Sequence, residues 1–203
     1  MAIDYKELQK QVQADFDNEL NVTDDLKGLT LEEIQAIQKS RTVPFAVCAF
    51  NILGNINIST MVRTAVITGA EKFFIVGRKK WDRRGTVGAQ NYIDLEVHST
   101  MSNELEVNSQ EIYDIITSAG YIPLPVDTCP PEMIKKFHFK GLDYGEEKYC
   151  LVFGNEGLGL PQDFIDLCGD FITIPQYGVM RSLNVSTAAG IIMYHVSDYL
   201  RGY

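Results

Sequence analysis

The amino-acid sequence predicts an α/β fold with a mainly parallel sheet and helices on both faces. Three observations carry this. The chain is long enough, at 203 residues and 45 % hydrophobic, to bury a sizeable core without disulfides or metals. From Pro44 onward, short apolar strand-like runs recur. Segments of helical length separate them, the texture of strands joined by helical crossovers.

Residues 1–42 precede that pattern and read as an N-terminal helical extension, leaving 43–203 as the main domain. Asp4 to Phe16 is polar, with Leu8, Val12 and Phe16 on one narrow apolar face. Thr30-Leu-Glu-Glu33 forms a capping box opening a second helix to about Lys39, and Thr42-Val-Pro44 stops it. The predicted strands then fall at 45–50, 72–77, 93–99, 121–127, 148–154 and 170–175. The predicted helices lie at about 57–70, 108–119, 161–168 and 184–200.

Eighteen basic against twenty-seven acidic residues give a net charge of −9 and a pI near 4.8. Such a balance excludes a protein that coats nucleic acid or anionic membrane through bulk charge. It leaves room for a local patch. Residues 72–84, KFFIVGRKKWDRR, hold six basic residues and one acid, with the chain's single tryptophan, Trp81, among them.

The N-terminus has acid from Asp4 onward and no apolar core, unlike a signal peptide. The longest uncharged run, Thr42 to Val62, contains Pro44, Gly54 and three asparagines, too polar a load for a membrane span. Cys48, Cys129, Cys150 and Cys168 lack zinc-type spacing, and no metal is expected. Cys48 and Cys150 sit in apolar runs, as buried reduced thiols do. The expected compartment is the cytoplasm. His98, His138 and His195 are read as structural or solvated.

Three segments read as working loops, each between a strand and a helix, at the sheet edge where open α/β folds bind ligands. In Asn51–Ala65, Asn57 is placed to cap the following helix, and Arg63 falls six residues later among apolar neighbours. Arg63 reads either as a rim residue with a solvated head or as an anion clamp. In Leu151–Pro161, three glycines within six residues give a backbone able to bend around a ligand with its N–H groups outward. The spacing is neither a dinucleotide fingerprint nor a Walker loop. Glu156 among the glycines would repel phosphate, so a cationic or hydroxyl-rich ligand fits better. In Ile174–Gly190, Ser182 or Asn184 caps a small-residue helix, with Gln176, Tyr177 and Arg181 crowded beside them.

Together the three segments resemble, in order and spacing, the signature motifs of the SpoU/TrmH family of RNA ribose 2′-O-methyltransferases in the SPOUT superfamily. The first, N-x-G-x-x-x-R-T-A, is matched from Asn57 to Ala65. The second, G-x-E-G-x-G-L/M, is matched from Gly154 to Leu160. The third, I-P-M-x-G-x-x-x-S-L-N-V-S, is matched from Ile174 to Ser186. Two departures stand: Ser59 replaces the usual glycine and Gln176 the usual methionine.

The resemblance covers about residues 44–203 and implies a C-terminal trefoil knot, a homodimer and S-adenosylmethionine as cofactor. It places cofactor contacts on Gly154, Ile174 and Leu183, with Gly157 and Thr128 as further candidates. The catalytic group would comprise Arg63, Asn57, Glu156, Ser182 and Asn184. The family arginine is proposed to assist deprotonation of the 2′-hydroxyl. A guanidinium keeps its proton at neutral pH, so binding the neighbouring phosphate and stabilising the developing alkoxide is the preferred role for Arg63. RNA would be held by Arg78, Lys79, Lys80, Trp81, Arg83, Arg84 and Arg181, and neither DNA nor membrane is an expected partner. A non-catalytic RNA-binding scaffold and a nucleotide-dependent oxidoreductase are the rival readings; the latter lacks its fingerprint.

Overall fold

A computed structural model describes residues 21–50, 52–77, 81–99, 108–128 and 147–203. The expected helix at Asp4–Phe16, together with Arg78, Lys79, Lys80, Cys129 and His138, lies outside the described residues.

The capping box forms as its sequence requires: Thr30 Oγ1 accepts from Glu33 N (3.3 Å), and Glu33 Oε2 accepts from Thr30 N (2.8 Å). It opens helix α1, Leu31–Ser40, which buries Ile34. Then follow β1 (Val43–Phe50), α2 (Asn55–Thr68), β2 (Ala70–Val76) and, after two short 3₁₀ turns, β3 (Asp94–His98). The chain continues through α3 (Ser109–Ser118), β4 (Ile122–Val126), β5 (Tyr149–Phe153), α4 (Gln162–Cys168) and α5 (Val185–Leu200). The strands form one sheet in the order β3-β2-β1-β5-β4, and every pairing is parallel.

Alternation along each strand divides the core into two halves. Phe45, Val47, Ala49, Phe73, Ile75, Leu151 and Phe153 face α2 and α5. Ala46, Cys48, Phe50, Phe74, Val76, Cys150 and Val152 face α3 and α4. Both faces are covered, which is why the strands read as continuous apolar runs. Burying each large side chain contributes about 1.5–3 kcal/mol. Cys48 and Cys150 are fully buried, and burial pushes both thiols well up from their ordinary range.

One expected strand is not built. Residues 170–175 form no strand; Ile172 is bridged to Val126. Ile172 N donates to Pro125 O (2.9 Å) and Asp127 N donates to Ile172 O (3.2 Å). Pro123 and Pro125, both buried, stand in β4 where the main-chain nitrogen faces away from β5, and a sixth strand would need N–H donors there that proline lacks. The pairing therefore does not extend into a strand, and the chain runs on to the sheet's carboxyl edge.

Candidate active site

The two central strands, β1 and β5, end side by side, with Ala49 opposite Phe153. Neighbouring strands run on from β1 in opposite directions, so the loops after β1 and β5 flank the crevice where open α/β sheets take ligands.

The loop after β5 caps the helix after β1. Gly54 stands at the N-cap of α2 with no side chain to offer. Glu156 takes that place: its Oε2 accepts from Leu53 N (2.9 Å), and its Oε1 accepts from Gly54 N (2.9 Å) and Asn57 Nδ2 (2.8 Å). A carboxylate is favourable there, since the helix end carries partial positive charge and unpaired N–H groups. Burial works against the Glu156 charge, yet the hydrogen bonds from Asn57, Leu53 and Gly54 outweigh it and hold the carboxyl below its ordinary range.

Asn57 is thus not the cap expected of it. The helix starts two residues earlier, and Asn57 bridges instead. Its Oδ1 accepts from Asn184 Nδ2 (3.1 Å), while Asn184 Oδ1 accepts from Ser186 N (3.0 Å) and Thr187 N (3.3 Å). Asn184, not Ser182, caps α5. One relay, Glu156–Asn57–Asn184, joins all three loops.

The glycine-rich loop differs from the open cradle expected of it. Asn155 and Gly159 exchange backbone hydrogen bonds (3.1 and 2.9 Å), and Asn155 Oδ1 accepts from Gly157 N (2.8 Å) and Leu158 N (3.1 Å). Asp127, at the end of β4, accepts from Leu160 N (3.0 Å). The loop's N–H groups close the loop on itself rather than pointing outward. Gly154 is required by this winding, because a Cβ there would stand 2.6 Å from Leu160 N. Asp127 and Asn155 were not among the predicted site residues. A carboxylate directly after an apolar strand, and an amide directly after the first glycine of the loop, are the signals that mark them.

A cavity of about 610 Å³ opens beside this loop. Thr128, Gly154, Gly157, Ile174 and Leu183 all line it, as do Glu156, Arg181, Ser182 and Asn184. Arg63 and Asn57 are not in its wall. Arg63 lies on the exposed face of α2, in a stripe with Ile56, Thr60 and Ile67. Gln176 also lines the cavity; with its amide nitrogen turned inward it donates to Met180 O (3.3 Å) and Arg181 O (3.1 Å). Among the described residues no cluster of His, Cys, Asp or Glu could hold a metal, and no helix is long and apolar enough to cross a membrane.

Of the basic segment, Trp81 is half-buried against the core, with the Arg83 guanidinium 6.0 Å from its ring centre. Arg84 pairs with Asp82 (2.6 Å), and that contact holds the Asp82 carboxyl down at about 2.

This parallel sheet, with three loops tied together beside a cavity, matches the fold of solved RNA-modifying methyltransferases. The A. aeolicus TrmH/SpoU tRNA modifying enzyme superposes with a TM-score of 0.67 at 25 % identity, over 85 % of this chain and 84 % of that one. The AdoMet-bound rRNA methyltransferase from Sinorhizobium meliloti shares the fold, with a TM-score of 0.63 and 23 % identity over 82 % of this chain and 59 % of that one. By sequence, the tRNA (guanosine(18)-2′-O)-methyltransferase of Aquifex aeolicus is 27 % identical over 169 residues, 81 % of this chain and 74 % of that protein. The model of the SpoU rRNA methylase family matches residues 44–194. The chain belongs to the SpoU rRNA methylase family, as its three motifs indicated.

Proposed function

We propose that this chain transfers the methyl group of S-adenosylmethionine to a ribose 2′-hydroxyl of tRNA or rRNA. The observation that carries this reading is the Glu156–Asn57–Asn184 relay, which holds the three motif loops together beside the cavity. The cavity suits the cofactor chemically. Its floor is apolar, from Phe153, Ile174 and Val185, and among the described residues its wall carries the carboxylates of Asp127 and Glu156 against one cation, Arg181. That lining favours an adenine and a positive sulfonium over a polyphosphate.

When bound, the cofactor supplies an electrophilic methyl group on a sulfonium. The chain's own residues do the rest. Gly154, Gly157, Thr128, Ile174 and Leu183 shape the cavity. Ser182 and Asn184 order the edge facing the substrate. Arg63 lies outside this chain's cavity wall, in the α2 stripe that also carries Ile56 and Ile67. It would act from the seam between two copies of the chain, holding the phosphate next to the target ribose and stabilising the alkoxide as the hydroxyl loses its proton. Alignment of the hydroxyl supplies much of the rate.

In this reading the C-terminal third carries a trefoil knot, residues 1–42 are a helical extension on a domain spanning 43–203, and the protein works in the cytoplasm. A homodimer is supported by large apolar side chains exposed among the described residues on the two mutually packed helices α2 and α5: Ile56 is 80 % exposed, Ile67 75 % and Tyr194 66 %. Arg83, Arg84 and Arg181, with Arg78, Lys79 and Lys80, supply the RNA-binding charge, and Trp81 an aromatic ring for stacking.

Calorimetric titration with S-adenosylmethionine, followed by methyl transfer from labelled cofactor to total RNA, tests the function. Cofactor binding together with RNA labelling is expected. Binding without any labelling would indicate a scaffold instead.

A further inference from the structure

Ser59, where the family's first motif usually has glycine, is 2 % exposed on α2. Its hydroxyl donates to the main-chain carbonyl of Asp82 (2.7 Å). Opposite it lies Gly85, where an added Cβ would stand 2.7 Å from Ser59 Cβ. The two positions interlock: the serine fills the room the glycine leaves, and its hydroxyl ties down the same turn. That turn is well built. Asp82 Oδ1 accepts from Arg84 N (3.0 Å), and Thr86, fully buried, donates to Arg83 O (2.7 Å). Trp81 packs on the core at its start. The strap from Trp81 to Thr86 is therefore seated on α2 through Ser59, while Arg83 and Arg84 remain exposed on its outer side. Arg63 follows Ser59 by four residues, one turn along the same helix, so the strap and Arg63 share one rigid support.

We infer that Ser59 is a positioning residue for RNA: it locks the basic strap onto α2, so that Arg83 and Arg84 meet the RNA backbone at a fixed offset from Arg63. This inference rests on the RNA reading of the strap. A free loop would pay an ordering cost on binding that a seated strap does not. Arg83 beside the Trp81 ring, exposed Arg84 paired with Asp82, and Arg63 on the next turn of α2 give a spaced set of phosphate contacts.

The test uses the full chain, labelled S-adenosylmethionine and total RNA. Ser59→Ala keeps the side-chain stem and removes only the hydroxyl; Gly85→Ala removes only the room. Each is expected to raise the KM for RNA about three- to tenfold, while kcat and cofactor affinity stay within about twofold. The slope of log Kd against log salt is expected to flatten by about one phosphate contact. Arg83→Ala combined with Arg84→Ala serves as the reference for the strap itself. If that pair leaves RNA affinity unchanged, the RNA reading of the strap is wrong and the inference falls with it. If the pair weakens RNA binding but Ser59→Ala does not, the strap reading stands and the role of Ser59 is overturned. A Ser59→Ala protein with lowered melting temperature, kcat and cofactor affinity together would show mere packing, which also overturns it.

Discussion

Asn184 and Asn57, 127 residues apart in the chain, are joined by a 3.1 Å hydrogen bond from Asn184 Nδ2 to Asn57 Oδ1. Each amide also serves a second partner: Asn57 donates to Glu156, and Asn184 caps α5. The pair thereby sets the start of α5 against the start of α2, and the loops that shape the cavity inherit that setting.

Because the bond is shared within a network, its removal should be non-additive. Asn57→Ala and Asn184→Ala are each expected to cost about 1–2 kcal/mol of unfolding free energy. The double variant is expected to cost less than the sum by about 0.5 kcal/mol or more. Urea denaturation of the four proteins measures this, and strict additivity would dissolve the relay.

Glu156 makes stability depend on acid. Its carboxyl is held below the ordinary value of 4.5 in the folded protein, so its contribution is fully present above about pH 4.5 and lost as pH falls through the lower folded value. The stability difference between wild type and Glu156→Gln is therefore expected to be constant from pH 7 to about 5 and to shrink below about 4.5. Melting curves across that range read it directly.

The exposed pair Ile56 and Ile67 marks the face expected to meet a second copy. Ile56→Lys together with Ile67→Lys should shift the protein from dimer to monomer in sedimentation, with the isolated chain keeping its secondary structure. A wild-type monomer at all accessible concentrations would remove the dimer.

Arg63 stands outside the cavity wall on the exposed face of α2. Arg63→Ala is accordingly expected to abolish methyl transfer, a loss of about a hundredfold or more, while cofactor affinity is unchanged by calorimetry. Undiminished turnover would sink the role given to it.

Much of this molecule was legible in its residues. The apolar runs marked the five strands to within about two residues at each end, because burial on both faces leaves a continuous hydrophobic signature. Thr30 and Glu33 announced their capping box by spacing alone. The expected strand at 170–175 failed because prolines in β4, about fifty residues earlier, withhold the donors it needs, a long-range condition no local pattern displays. Asn57 misled for a related reason: its sequence position suits a cap, but Glu156 arrives from another loop to do that work. Asp127 and Asn155 escaped notice because their partners are backbone amides of a loop whose winding only the fold reveals. The glycines promised flexibility, and the structure spends it on folding the loop back upon itself.

The measurement that bears most directly on function is the position of the methyl group in the RNA product. After incubation with methyl-labelled S-adenosylmethionine and total RNA, the RNA is hydrolysed in alkali, which cleaves every linkage except those beside a blocked 2′-oxygen. The label is expected in alkali-resistant dinucleotides, and absent from them with Arg63→Ala. Label released in mononucleotides, carried on the bases, would contradict ribose 2′-O-methylation.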